Sequence, residues 1–409
     1  MTETKLKLIL ALAVLATVAM PAFGQQTAAE WPDEDDALVI KGNYADAVQC
    51  FEEAIRLDPE FAGAWNGKGI ALYDLGKYDM AAYDEAIEFD PEDAMVWNNK
   101  GAVFTDLGKY DVAIQSYDQA IRLDPEFAWP WDGKGVALYY QGNYADAIQC
   151  FDEALRLDPE YAAAWNNKGN ALYVIGKYDE AILAYDEAIR LNPEFASAWY
   201  NKGLALACMG NYDDAILAYD EAIRLDPEYA DAWYSKSNAL RKLGNYADAI
   251  QAYGEGLRLE PDYAAAWYNK GNALYVIGKY DEAILAYDEA IRFNPEYARV
   301  WNFDPEYASA WNGKGNALMM QGKYDEALQA YDEAIRLYPE FAAAWNNKGL
   351  ALGMQDEYDE ALQAFDEAIR LKPEDAIAWN NKGVTLELLG KTTEANAAYA
   401  KARELGWAG

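Results

Sequence analysis

Residues 158–193 read DPEYAAAWNNKGNALYVIGKYDEAILAYDEAIRLNP, and this stretch decides the fold. Asp158 followed by Pro159 is typical of a helix start, because aspartate caps free N–H groups and proline suits the first helical position. From Trp165 to Leu172, apolar and small residues recur at the spacing of one helix face. The first half of the stretch is therefore predicted to be a helix.

The second half of the stretch predicts another helix. Gly176 is expected to end the first one, because glycine readily adopts the left-handed conformation that follows many helices. A second buried stripe at helical spacing consists of Tyr178, Ala181, Ile182, Tyr185, Ala188 and Ile189. Gly169 and Ala181 are both small, and we expect the two helices to cross closely between them. One such pair cannot bury both of its faces, so pairs must stack on one another.

This pattern recurs along nearly the whole chain. Ten tryptophans begin the sequence W-x-x-K: Trp65, Trp97, Trp131, Trp165, Trp199, Trp233, Trp267, Trp311, Trp345 and Trp379. The step from Trp97 to Trp301 is 34 residues every time. The 24 residues 167–190 are identical to residues 269–292. Surfaces copied in this way favour a function that depends on array length and generic chemistry over one unique pocket.

The repeat resembles a known family. Its spacing of Trp165, Gly169, Leu172, Tyr178, Ala181, Tyr185, Ala188 and Pro193 is similar to the tetratricopeptide repeat, over about residues 31–405. The resemblance implies an all-α fold, a right-handed superhelical solenoid of antiparallel helix pairs. Lys168 departs from the family, which usually has leucine there. We expect its stem to be packed and its ammonium to reach nearby carboxylates.

The repeats divide the chain into segments. Residues 25–300 are predicted to hold a degenerate first unit at 31–64 and then seven units. Between Trp301 and Trp311 the pattern lacks 24 residues. We therefore predict a truncated unit or linker at 301–310 and a break in the superhelix there. Residues 311–409 are predicted to form three further units with a C-terminal cap.

Residues 1–24 are predicted to be a signal peptide. Two lysines, Lys5 and Lys7, precede the apolar run 8–19, and small residues end at Gly24. These features are typical of a secretory signal cleaved after Gly24. We expect an exported protein, secreted or at the cell surface, with no stable membrane insertion of the mature chain. An uncleaved N-terminal membrane anchor is the alternative.

Composition argues against several functions. The chain has 34 Lys+Arg and 69 Asp+Glu, a formal charge of −35, with no histidine and three cysteines. Nucleic acid binding needs a basic footprint, so we expect none. Without histidine there is no Ser-His-Asp triad or histidine-ligated metal. The repeated Asp-Glu pairs are interpreted as a solvated face. We expect no enzyme, no cofactor, no metal and no disulfide framework.

The resemblance implies that the first helix of each pair lines a concave groove. Groove positions are then two before the tryptophan and one, five, eight and nine after it. Candidate partner-binding residues there are Trp129, Asp132, Tyr139, Tyr140, Asn166, Asn170, Tyr173, Tyr200, Tyr234 and Asn238. Trp129 stands where other repeats have mostly small or polar residues, so we expect it to project as an anchor. The alternative is that it packs onto Phe127.

Two functions fit these features. The first is a non-enzymatic extracytoplasmic scaffold that binds proteins or extended peptides, neutral to basic, in the concave groove. The alternative is a cell-surface glycan-binding or envelope structural array, in which tyrosine and tryptophan rows stack on sugars. A groove for C-terminal carboxylates is disfavoured, because its only basic candidates are Arg241 and Lys242. The sequence leaves the oligomeric state open.

Overall fold

A computed structural model describes residues 44–293 and 305–408. The segment read as a signal peptide and most of the degenerate first unit's opening lie outside these residues. Twenty-one helices and no strands occupy the described part. The helices alternate between the two types that the sequence predicts: a first helix that bears the tryptophan, and a second helix that follows it in the same pair. Within each compact part of the chain, a first helix also packs against the second helix of the preceding pair. The chain divides after Asn211 into two compact parts, each of several repeats. From here on we call these two parts the first unit and the second unit, and we call each helix pair a repeat.

The first unit contains ten described helices. They are α1 Tyr44–Leu57, α2 Ala62–Asp74, α3 Met80–Phe89, α4 Ala94–Asp106, α5 Tyr110–Leu123, α6 Ala128–Tyr140, α7 Tyr144–Leu157, α8 Ala162–Val174, α9 Tyr178–Leu191 and α10 Ala196–Cys208. The even-numbered helices are the tryptophan-bearing first helices of the repeats. Helix α3 is short because its repeat lacks two residues, and Asp79 caps it by accepting from the Ala81 N–H at 3.1 Å.

The second unit contains eleven described helices. They are α11 Tyr212–Leu225, α12 Ala230–Lys242, α13 Tyr246–Leu259, α14 Ala264–Val276, α15 Tyr280–Phe293, α16 Pro305–Met320, α17 Tyr324–Leu337, α18 Ala342–Met354, α19 Tyr358–Leu371, α20 Ala376–Leu388 and α21 Thr392–Glu404. Here too the even-numbered helices are first helices. Each one from α14 to α20 contacts the first helix before it as well as its own partner.

The turn inside each pair forms as the glycine predicts. Gly176 has φ 79°, a left-handed conformation that glycine adopts without steric cost. The N–H groups of Gly176 and Lys177 donate to the carbonyls of Tyr173 and Leu172, at 3.0 and 2.9 Å. These bonds satisfy carbonyls at the end of α8, so the chain can reverse within three residues.

The core of each pair is an aromatic ring packed on a glycine. A Cβ on Gly169 would lie 2.5 Å from Cε1 of Tyr185, so only glycine fits there. Tyr185 is 1% exposed. The first helix therefore has to be small at Gly169 because of the Tyr185 ring, which is the neighbour that a side chain at this position would meet.

The lysine of W-x-x-K behaves as predicted. Lys168 packs its stem, places Nζ 5.2 Å from the centre of the Trp165 ring, and pairs with Asp152 of the preceding repeat at 2.6 Å. The prediction that its ammonium reaches a nearby carboxylate is confirmed, and this contact joins consecutive repeats.

Stacking continues on both sides of the irregular segment. Helices α15 and α16 pack against each other, and Lys314 pairs with Asp288 at 2.6 Å, as between other repeats. Trp267 and Trp311 are 44 residues apart, which is one repeat of 34 plus 10. The described helices therefore pack as consecutive repeats, with ten added residues between them. Of the predicted truncated unit or linker at 301–310, residues 301–304 lie outside the described residues, and residues 305–310 belong to α16.

Other expectations concern the surface and the cysteines. No helix in the described ranges combines the length and apolar character that crossing a membrane requires. The three cysteines are free: Cys150 is buried, whereas Cys50 and Cys208 are exposed. Burial raises the pKa of the Cys150 thiol to about 11, so this cysteine stays protonated and unreactive at neutral pH.

Candidate functional site

The row one residue after the tryptophan lies between repeats and not in an open groove. Asn166 is 6% exposed, and its Oδ1 accepts from Nδ2 of Asn201 in the next repeat at 3.0 Å. The same bond joins Asn99 to Asn66, Asn347 to Asn312 and Asn381 to Asn346. These amides hold neighbouring first helices together, so the prediction that Asn166 is open to a partner is wrong.

Asp132 replaces asparagine in that row and is buried as well. Its carboxylate accepts from Asn167 Nδ2 at 3.0 Å and from the Tyr161 hydroxyl at 3.3 Å, and the residue is 2% exposed. Burial raises the pKa of Asp132 to about 6, although both hydrogen bonds oppose the shift. Asp132 is thus an interior acid, not the edge of a groove.

Tyr234 is also a packing residue. It is 4% exposed, and its hydroxyl oxygen lies 2.8 and 2.9 Å from the carbonyl oxygens of Gly256 and Glu260, which share its single hydrogen. The ring fills the space beside Gly256, where equivalent second helices carry alanine. Tyr234 therefore joins α12 to α13 and is not available to a partner.

Trp129 packs against its own wall. Its ring centre lies 5.4 Å from that of Phe127, and the half-buried indole contacts the buried cluster of Ala154, Leu155, Tyr161 and Ala164. The expectation of a projecting anchor is therefore wrong, and the alternative of packing onto Phe127 describes the residue. Large aromatics are commonly buried to this degree.

A tyrosine cluster does form in the first unit. Tyr140 is 60% exposed and stacks on Tyr110 at 5.6 Å between ring centres. Tyr139 meets Tyr140 and Tyr144 edge-on, at 5.5 and 5.4 Å. The structure thus brings together the two predicted residues Tyr139 and Tyr140 on one accessible aromatic patch.

The remaining predicted tyrosines are half-buried. The Tyr173 hydroxyl lies 3.3 Å from Sγ of Cys208, and its ring contacts Tyr178 at 5.5 Å. Tyr200 is half-buried on α10. Tyr234 and Asn238 belong to the second unit, so the predicted site residues are divided between the two units.

The row five residues after the tryptophan presents oriented amides. In the second unit, Oδ1 of Asn238, Asn272 and Asn316 accepts from the hydroxyls of Tyr253, Tyr287 and Tyr331, at 2.6, 2.8 and 2.8 Å. We call these three asparagines the amide row. Their NH₂ groups have no acceptor within the described part of the chain. Asn170 of the first unit is held in the same way by Tyr185 at 2.9 Å.

Sequence reasoning missed an exposed apolar row. Nine residues after the tryptophan, four consecutive first helices of the second unit carry large apolar side chains that are 51–61% exposed. This apolar row consists of Val276, Met320, Met354 and Leu388. The sequence placed this position in the groove without noting its apolar character. The first unit has Asp74, Asp106, Tyr140, Val174 and Cys208 there, so four consecutive large aliphatic residues occur only in the second unit.

The acidic side chains of the described residues do not gather into a metal-binding cluster. No group of three acidic or cysteine side chains comes together there to hold a metal ion. The carboxylates of the second helices mostly pair with lysine or arginine, for example Glu187 with Arg190 at 2.6 Å. Such exposed pairs fit the solvated face that the sequence predicts.

The repeat geometry agrees with a family model. A tetratricopeptide repeat model matches residues 36–94, 133–193, 168–230, 200–254, 234–298, 296–340, 312–373 and 347–409, and a second TPR repeat model matches 101–139. The chain therefore belongs to the tetratricopeptide repeat family. No curated protein sequence matches it.

Several solved structures are similar. One is "YrrB: a TPR protein with an unusual peptide-binding site", with 26% identity, a TM-score of 0.39, and coverage of 45% of this chain and 95% of YrrB. MamA of Desulfovibrio magneticus RS-1 has 24% identity, a TM-score of 0.39, and coverage of 42% and 96%. The Cut9-Hcn1 complex has 16% identity, a TM-score of 0.43, and coverage of 91% and 86%.

Proposed function

We propose that the protein is a non-enzymatic scaffold whose second unit binds an extended segment of a partner protein along the amide and apolar rows. The observation behind this proposal is the apolar row. Single exposed apolar residues are ordinary on a protein surface, but a continuous apolar strip indicates a contact surface. Here the strip follows four first helices that contact one another in sequence.

The spacing of the rows suits an extended chain. Neighbouring packed helices lie about 8–10 Å apart, and an extended peptide in the polyproline II conformation advances about 3.1 Å per residue with about three residues per turn. A segment crossing α14, α16, α18 and α20 would therefore place every third side chain on the apolar row. We expect such a partner segment to carry apolar residues at that interval.

The amide row would hold the backbone of the same segment. Asn272 and Val276 are four residues apart on α14, so they lie side by side on one helix face. An amide NH₂ can donate to a peptide carbonyl. The buried Tyr287 hydroxyl fixes the direction of the Asn272 amide, and burial raises the pKa of that hydroxyl, so it remains a donor at neutral pH. Preorganised donors bind with a smaller entropic cost.

The remaining parts of the proposal concern location and charge. The N-terminal sequence favours export, and the mature protein is expected to begin at Gln25. N-terminal sequencing of protein from the cell exterior tests this, and cytoplasmic protein that retains Met1 would contradict it. With a formal charge of −35, the protein should favour neutral or basic segments.

A peptide library displayed on phage tests the binding surface. The intact protein should enrich sequences with apolar residues at every third position. Met354→Glu should weaken binding of an enriched peptide at least tenfold, because it places a charge in the apolar row. Leu285→Glu is the matched control: Leu285 is 66% exposed, but it lies on a second helix outside both rows.

Two outcomes would contradict the proposal. One is enrichment of sequences without the three-residue apolar interval. The other is equal loss of binding in Met354→Glu and Leu285→Glu. If no peptide is enriched while envelope polysaccharide is retained, the glycan-binding alternative would be supported instead.

A further inference from the structure

A second feature of the second unit concerns the ion pairs between repeats. The lysine three residues after the tryptophan pairs with an aspartate on the second helix of the preceding repeat, 16 residues earlier in seven pairs and 26 earlier in Lys314–Asp288, which spans the ten added residues. The nitrogen–oxygen distances are 2.5–2.6 Å in eight pairs: Lys100–Asp84, Lys134–Asp118, Lys168–Asp152, Lys202–Asp186, Lys236–Asp220, Lys314–Asp288, Lys348–Asp332 and Lys382–Asp366.

Lys270 is the exception among these lysines. The position 16 residues earlier is Gly254, so the carboxylate is missing. Nζ of the half-buried Lys270 lies 5.0 Å from the centre of the Trp267 ring. Glu282 is the nearby carboxylate that acts on it, but Glu282 already pairs with Lys279 at 2.8 Å. Burial lowers the pKa of the Lys270 ammonium, and Glu282 only partly offsets this.

Packing does not explain Gly254. A Cβ there would meet no atom within 4 Å, whereas two residues later a Cβ on Gly256 would lie 2.5 Å from the Tyr234 ring. Glycine inside a helix lowers its stability relative to other residues. Helix α13 therefore carries one glycine that its neighbours require and one that they do not. The second leaves open space beside an unpaired ammonium.

We infer that Lys270 binds an aspartate side chain supplied by a partner protein, seated over Gly254 where the other repeats have their own aspartate. The eight intact pairs show the geometry that such a carboxylate would adopt. A single ammonium matches a single carboxylate charge, and the half-buried setting strengthens the pair relative to one in water. Gly254 lies on a second helix, so this site is separate from the amide and apolar rows and does not depend on them.

The test is competitive acetylation of the intact protein by trace acetic anhydride between pH 7 and 11, with each lysine read by mass spectrometry. Lys168 is the matched control, because residues 167–190 and 269–292 are identical and Lys168 has its partner Asp152 at 2.6 Å. Lys270 should react at lower pH than Lys168. The probe is the α-amide of N-acetylaspartate, up to 100 mM at constant ionic strength, with the corresponding asparagine derivative as its uncharged control.

The aspartate probe should slow acetylation of Lys270 at pH 8 at least twofold, because a bound carboxylate raises the pKa of the ammonium and leaves less free amine. Lys168 should not respond. Gly254→Asp should abolish the response of Lys270, and Asp152→Gly should create one at Lys168. The inference is overturned if the probe leaves Lys270 unaffected, or if it slows Lys270 equally in Gly254→Asp. Circular dichroism confirms that each variant is folded.

Discussion

Tyr234 and Gly256 are complementary: the phenol fills the space that the glycine leaves, and a Cβ on Gly256 would lie 2.5 Å from Cε1 of Tyr234. Tyr200 and Tyr268 occupy the same repeat position as Tyr234, but their second helices carry alanine in place of the glycine. Both are half-buried, whereas Tyr234 is buried. One missing methyl group therefore decides whether this tyrosine enters the core.

Gly256→Ala should destabilise the second unit by about 1–3 kcal/mol, because the added methyl overpacks the Tyr234 ring. Urea unfolding followed by tryptophan fluorescence measures the shift. Gly254→Ala, two residues earlier on the same helix, is the control. It has open space and should stabilise by roughly 0.5–1 kcal/mol through helix propensity. A stabilising Gly256→Ala would contradict the packing described for Tyr234.

Asp132→Asn should stabilise the protein at neutral pH. The folded-state pKa of Asp132 is raised to about 6, above the value of about 3.9 in an unfolded chain. The unfolded state therefore loses its proton first, and wild-type stability falls as pH rises from about 4 to 6. Asparagine removes this penalty, which amounts to about 1–3 kcal/mol above pH 6.

The pH profile is what distinguishes this effect. The gain in melting temperature of Asp132→Asn over the wild type should be small at pH 4 and should grow until about pH 7. Asn167 and Tyr161 can still donate to the asparagine carbonyl, as Asn201 does to Asn166 at 3.0 Å. A gain that does not depend on pH would show that burial of the charge is not its cause.

Tyr287→Phe should weaken peptide binding several-fold while it lowers stability by only about 1 kcal/mol, because it removes one hydrogen bond that orients Asn272. Tyr185→Phe makes the same change at the same place in the copied segment of the first unit. It should have a similar cost in stability and leave binding to the second unit unchanged. Titration of an enriched peptide, with melting curves for both variants, checks this. Equal effects of both variants on binding would place the site elsewhere.

Deleting residues 294–303 should preserve the fold. The junction then reads Arg292-Phe293-Asp304-Pro305, which matches the regular Arg224-Leu225-Asp226-Pro227. We expect unchanged helix content by circular dichroism and a melting temperature equal to or above that of the wild type. As a control, deletion of the ten residues 338–347 removes Trp345 and should clearly lower the melting temperature. Loss of helix content in the first deletion would show that the added residues support the stack.

Much of the fold could be predicted from sequence, because the same pattern of helix starts, buried stripes and glycine turns recurs in every repeat. The glycine turn at Gly176 and the pairing of Lys168 followed from residue chemistry and helical spacing alone. The segment before Trp311 is harder to interpret from sequence. A 34-residue repeat that has lost 24 residues and a junction that has gained 10 residues give the same sequence. The packing of α16 on α15 and the Lys314–Asp288 pair favour the second interpretation, ten added residues.

The candidate site was predicted less well, for a specific physical reason. Helical spacing separates a buried stripe from the rest of a helix, but it does not tell which of the remaining positions face the next repeat. The family resemblance implies that Asn166 and Asp132 line an open groove, but in the structure they lie between helices. Trp129 was unusual for its position, and unusual size alone did not distinguish an anchor from a packing residue.

Residues 167–190 and 269–292 are letter-for-letter copies, and within each copy the ion pairs are copied too: Lys177–Glu180 and Lys279–Glu282 both measure 2.8 Å. The ion pair of Lys168 with Asp152 is not copied at Lys270. The partner of this lysine belongs to the preceding repeat, and Gly254 stands there at the position of Asp152. Gene duplication can thus reproduce a repeat perfectly and still give it a new environment. In such an array, a substitution in one repeat changes the chemistry of its neighbour.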